Sequence, residues 1–109
     1  MRKDTRARDF SKKVKMQIAE RDAPNGWPCC VRCGAPAPSI APLFFSNAHF
    51  IARSQGGLGI VENGLTLCTS CHIRYDQSEH REEDREYYRE YLKSKHENWS
   101  EEALIYRKE

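Results

Sequence analysis

Apolar positions along the chain change period several times, and each change marks an element. Phe10, Val14 and Ile18 recur every four residues, which draws one narrow apolar stripe along a helix. Ser11 supplies a capping oxygen, and Ala23-Pro24-Asn25-Gly26 is breaker sequence, so a helix is predicted from Ser11 to about Arg21. Residues 35–42 carry three prolines and read as a connector. Leu43-Phe44-Phe45 opens a strand that runs toward His49. Gly56, Gly57 and Gly59 make residues 53–63 a loop, and Leu65-Thr66-Leu67 is a short buried strand. A helix follows from about Thr69 to Gln77. In residues 81–95, Tyr87, Tyr88, Tyr91 and Leu92 form one stripe on a charged helix. That stripe is expected to pack on the core, with a base-stacking platform as the sharper alternative. Trp99, Leu104, Ile105 and Tyr106 read as a short C-terminal helix over 99–107 that docks back, capped by Ser100. The order is strand, loop, strand, helix, flanked by helices, an α+β arrangement without internal repeats. It divides as a basic arm over 1–9, a central domain over 10–80 with its leading helix, and a C-terminal helical extension over 81–109.

Composition explains why such a chain needs a staple. Its 109 residues are 39% hydrophobic and 31% charged, enough for one domain with a modest core. No apolar run is long enough for a membrane span. The basic N-terminus is followed by no apolar signal core, so a cytoplasmic protein is expected. Net charge is +2, but residues 1–21 hold eight Lys and Arg against three Asp and Glu. That arm suits contact with a phosphate backbone, or is simply a solvated tail.

The five cysteines provide the staple. An odd number in a chain without a secretory signal argues against a closed set of disulfides. Cys30-Val31-Arg32-Cys33, followed by Gly34, is one C-x-x-C knuckle, and Cys68-Thr69-Ser70-Cys71 is a second. Two such knuckles complete a tetrahedral structural zinc site on Cys30, Cys33, Cys68 and Cys71. Cys29 is left as a free, partly buried thiol.

Between and beyond the knuckles lie the groups that carry chemistry. Asn47-Ala48-His49-Phe50-Ile51-Ala52-Arg53-Ser54-Gln55-Gly56-Gly57 precedes the second knuckle, and Glu62-Asn63-Gly64-Leu65-Thr66-Leu67 leads into it, with His72 and Asp76 just after. Thirteen residues separate His49 from Asn63, and eight separate Asn63 from His72. This order, with its zinc frame, resembles the HNH endonuclease family over about residues 28–77, and specifically its small, zinc-stapled members from phage and prophage. The helix ending Glu20-Arg21-Asp22 looks family-like as well.

The resemblance implies a ββα-metal core and metal-dependent hydrolysis of DNA, leaving a 5′-phosphate and a 3′-hydroxyl. It assigns His49 as general base, and chemistry agrees, since a neutral imidazole can take a proton from water near neutral pH. The Asn63 amide can both donate and accept, so it can hold the glycine loop against the strand and fix His49. His72 and Asp76 are four apart, on one helical face, where they can hold one divalent cation such as Mg²⁺, Mn²⁺ or Ni²⁺. Matching positions in the family are metal ligands. Arg53 is placed to contact phosphate.

One position departs from the pattern. Many family members carry Asp or His immediately before the general base, as a further metal ligand, and here that residue is Ala48. Either His72, Asp76, waters and substrate hold the metal, or a neighbour such as Asn47 substitutes. Two other readings follow: a zinc-stabilised DNA-binding module with impaired catalysis, and a structure-specific accessory nuclease working with a packaging or recombination partner. His80 is expected to be solvent-exposed, and His96 to be a cation favouring the end of its helix.

Overall fold

The computed structural model describes residues 9–37, 46–77 and 79–105. Residues 1–8 of the basic arm expected over 1–9, the connector beyond Ala37 and the strand opening at Leu43-Phe44-Phe45 lie outside the described residues, as does Tyr106.

Helix α1 spans Lys12–Arg21, and the Ser11 side chain accepts the Val14 N–H at 3.1 Å, as its N-cap role requires. Phe10 precedes the cap and so lies outside the helix itself, but its ring and the Ile18 side chain both lie against Gly64, and the ring stacks on His49. Strand β1 (Ser46–His49) pairs antiparallel with β2 (Gly64–Leu67), Ala48 opposite Leu65 and His49 opposite Gly64. Helix α2 spans Thr69–Gln77 and α3 spans Arg81–Lys95. The described residues therefore form a small α+β assembly of three helices and a two-stranded sheet, with ββα order at its centre.

All four residues of β2 are buried, because α1 covers one side and the rest of the core the other. Leu65 and Leu67 join Ala48, Phe50, Ile51, Tyr75, Tyr88, Leu92 and Leu104 in one cluster. Burying such side chains contributes about 1.5–3 kcal/mol each for the larger ones. The tyrosine stripe of α3 is split. Tyr88 and Leu92 are fully buried and Tyr91 is half-buried, but Tyr87 stays 43% exposed, with the Arg32 guanidinium 4.4 Å above its ring. A helix packed on a small core can turn only part of a four-residue stripe inward.

The C-terminal element is shorter than the apolar pattern suggests. A single 3₁₀ turn covers Glu101–Leu104, and the Ser100 side chain makes no capping bond. The segment still docks back. Leu104 is buried and its carbonyl accepts the Leu58 N–H, Ile105 pairs with Gly57, and the Trp99 indole donates to the Glu62 carbonyl. Those tertiary contacts reward an extended end more than another helical turn would.

Two buried carboxylates bind the elements together. Asp22, just past α1, receives a two-pronged bond from Arg21 (2.7 and 2.8 Å), the Thr66 N–H at 3.0 Å and the Tyr91 hydroxyl. It thus ties α1 to β2 and α3. Asp84 in α3 is fully buried and paired with Arg32 of the first knuckle at 3.2 Å and Arg74 of α2 at 2.9 Å. Among the described residues, no helix is long and apolar enough to cross a membrane.

Candidate functional site

The two C-x-x-C turns converge. The Sγ atoms of Cys30, Cys33, Cys68 and Cys71 all lie within 4.8 Å of one another, and those of Cys33 and Cys68 are 3.7 Å apart. Four thiolates at about 2.3 Å from a tetrahedral zinc ion sit roughly 3.8 Å from each other, so the spacing fits. The first knuckle closes through Cys30 N–H to the Ala35 carbonyl and Gly34 N–H to the Cys30 carbonyl. Gly34 takes a φ of 80°, a left-handed conformation that costs other residues strain. The second knuckle runs directly into the first turn of α2, where the His72 N–H bonds the Cys68 carbonyl. The Val31 N–H bonds the Thr66 carbonyl, fastening the first knuckle to β2.

The electrostatics suit a metal. Burial disfavours a charged Cys30, but N–H groups of Cys33, Cys68 and Arg32 around its sulfur outweigh that and lower its pKa to about 7. Burial, and then the neighbouring thiols, push Cys71 far upward, because four sulfurs cannot share one space as anions without a cation among them. The cluster could hold a structural metal ion such as zinc, whose charge would favour the deprotonated state of all four. Cys29 stands apart. It is half-buried, and its thiol donates to the Trp27 carbonyl at 3.3 Å.

An open cleft of about 740 Å³ gathers His49, Arg53, His72 and Asp76, together with Asn47. His49 ends β1, and Asn47 lies two residues before it on the same strand face. Ala48 between them points the other way and is 1% exposed within the core. His72 and Asp76 project from one face of α2, with imidazole Nε2 and carboxylate Oδ2 3.3 Å apart. Adjacent ligands of an octahedral cation at about 2.1 Å stand roughly 3 Å apart, so this nitrogen and oxygen pair could span one edge of a divalent site. Arg53 opens a short 3₁₀ turn, Arg53–Gln55, and pairs with Asp9 at 3.1 Å.

Asn63 takes no direct part in the cleft wall. It is wholly buried, and its side chain works as a buckle beneath the glycine loop. Oδ1 accepts the Ile51 N–H at 2.8 Å, while Nδ2 donates to the Leu58 carbonyl at 2.9 Å and the Ile51 carbonyl at 3.2 Å. Its own carbonyl accepts the Phe50 N–H. The backbone immediately after His49 is therefore held at two successive residues. The Tyr75 hydroxyl adds a third tie by donating to the Phe50 carbonyl at 2.8 Å. Burial raises the Tyr75 pKa to about 12, which keeps that donor neutral.

Several cleft residues escape sequence reasoning. Lys15 of α1, Arg81 of α3, Tyr75, Phe10 and Asp9 all line it. Phe10 stacks on the His49 imidazole with centroids 4.0 Å apart and planes 20° from parallel. The one available hint was an aromatic residue placed just ahead of a cap. His80 is exposed as expected, with Nδ1 3.1 Å from Glu83 Oε1. His96 differs from expectation. Burial, and then the Arg21 guanidinium, lower its pKa below the ordinary value. It serves as a neutral acceptor for Arg21, 3.1 Å from Nη1, and not as a cation at a helix end.

Comparison with known proteins finds no family model and no curated protein that matches the chain.

Proposed function

We propose that this protein is a metal-dependent DNA endonuclease of the HNH type. The observation that carries the reading is the meeting of His49, Arg53, His72 and Asp76 in one cleft, from three separate segments, around a ββα unit. The loop buckle on Asn63 supports it, since all three polar positions of the motif then have a physical task.

In this reading His49 accepts a proton from the attacking water, for which its place at the end of a strand and at the cleft wall suits it. Asn63 and Tyr75 fix the backbone that follows His49, and so act as positioning residues. Arg53 pairs with a phosphate oxygen through its planar guanidinium. His72 and Asp76 hold the divalent cation, and Asn47 is the strand residue that can reach the same space, because Ala48 faces the core. When bound, that cation neutralises charge on the phosphoryl group and the leaving oxygen. Lys15 and Arg81, on α1 and α3, add positive charge to the cleft for the neighbouring phosphates. The cysteine cluster has no part in the reaction and secures the fold.

The test is cleavage of supercoiled plasmid by the zinc-loaded protein with Mg²⁺, Mn²⁺ or Ni²⁺. Wild type is expected to relax or linearise it, and His49→Ala to lose about 10²–10⁴ in rate with zinc content unchanged. Equal cleavage by His49→Ala removes His49 as the base. Folded wild type that binds DNA and cuts none with any of the three ions identifies a binding module instead.

A further inference from the structure

Two residues ahead of the α1 cap lie across the cleft. Phe10 covers one face of the His49 ring, and the Asp9 carboxylate is 3.1 Å from the Arg53 guanidinium. The segment is seated by glycines. A Cβ on Gly59 would come within 2.1 Å of the Asp9 carbonyl oxygen, and one on Gly64 within 3.2 Å of the Phe10 ring. Any side chain at Gly59 would expel the segment, so the loop is shaped to receive it.

We propose that Asp9 is a built-in competitor for the phosphate position at Arg53, displaced when a phosphodiester backbone enters the cleft. The inference rests on the nucleic-acid reading above. A carboxylate and a phosphodiester offer the same thing to an arginine: a monoanion with two oxygens that match its fork. The pair is also weak enough to exchange. The two side chains are 56% and 45% exposed, and pairs of that kind are screened by solvent and salt. Exchanging one anion for another keeps Arg53 neutralised throughout, whereas an anion without an arginine to exchange gains nothing.

The experiment is fluorescence anisotropy of a labelled DNA duplex with the full zinc-loaded chain, at about 50 mM salt and without added Mg²⁺, where electrostatic contacts are least screened. Asp9→Asn keeps the size of the side chain and removes the competing charge. It is expected to tighten binding about two- to fivefold. In the Arg53→Ala background the same change is expected to do nothing. Unchanged or weaker binding by Asp9→Asn overturns the proposal, and so does a gain that persists without Arg53. Failure of both wild type and Asp9→Asn to bind duplex at all overturns the nucleic-acid reading itself, and the competitor with it.

Discussion

At the scale of single residues, the chain separates groups that touch the cleft from groups that hold it in place. Asn63 shows the second kind most clearly. Its amide satisfies one N–H and two carbonyls of the loop that follows β1. A buried polar group left without its partner costs about 1–3 kcal/mol. Asn63→Ala strands three of them, and water entering the space recovers part of the loss, so a destabilisation of about 2–4 kcal/mol is expected in urea unfolding. Asn63→Asp keeps the acceptor and loses both donor bonds, facing two carbonyls with a carboxylate. It is expected to be at least as damaging, although it is the closer match in shape. Equal stability of Asn63→Asp and wild type would show that the buckle is not holding the loop. The same separation explains Ala48. Strand alternation sends it inward against Leu65 while Asn47 and His49 stay at the cleft, so its small size is set by packing.

At the scale of elements, the two knuckles bridge segments that would otherwise share little. One precedes β1 and the other joins β2 to α2, so a metal held by the four cysteines would fix the sheet to the helix that carries His72 and Asp76. For a core this small, coordination of a structural zinc is on the order of 10 kcal/mol of folding energy. The purified protein is expected to carry one zinc per chain by native mass spectrometry. Stripping it with a chelator is expected to abolish the cooperative thermal transition and most of the helical circular dichroism. Persistence of the same melting point in metal-free protein would show that the sulfur cluster is dispensable. The elements themselves were largely legible because their signals were local. Ser11 and the Ala23-Pro24-Asn25-Gly26 turn bounded α1, and the glycine loop and the second knuckle bounded β2 and opened α2. The cleft was legible at His49, Arg53, His72 and Asp76, where spacing carried information. It was not legible at Lys15, Arg81 or Phe10, which reach it only through the way α1 packs on β2 and α3 packs on α2. The C-terminal turn was misjudged for a related reason. Ser100 with Glu101 and Glu102 looks like a helix start, yet pairing of Leu104 and Ile105 with the glycine loop decides its conformation.

At the scale of the whole molecule, one polar network joins the beginning of the chain to its end. Arg21 bonds the Val61 carbonyl at 2.9 Å, the Gly64 carbonyl at 2.7 Å and Asp22, and its Nη1 meets His96 Nε2. An arginine can only donate, so that imidazole nitrogen must accept and the ring must be neutral. Burial is the main force keeping it so, and the Arg21 cation adds to it; Glu62 and Asp22 pull the other way without prevailing. The sign of the consequence follows from linkage. The folded-state pKa lies below the unfolded value of about 6.5, so in the window beneath that value the unfolded chain binds more protons. Stability from His96 is complete above about pH 6.5 and declines as pH falls, by at most about 1.4 kcal/mol per pH unit for one proton. His96→Gln keeps an acceptor for Arg21 and cannot titrate. Urea unfolding from pH 7.5 down to 5.5 is therefore expected to show a steeper loss for wild type than for His96→Gln, with the two converging at the alkaline end apart from a constant offset. Parallel profiles would mean that the proton is taken up elsewhere, and that this network holds α1, β2 and α3 together without sensing pH. A steeper profile would assign that proton to His96 and show that its neutral form supports the contact between α3 and α1.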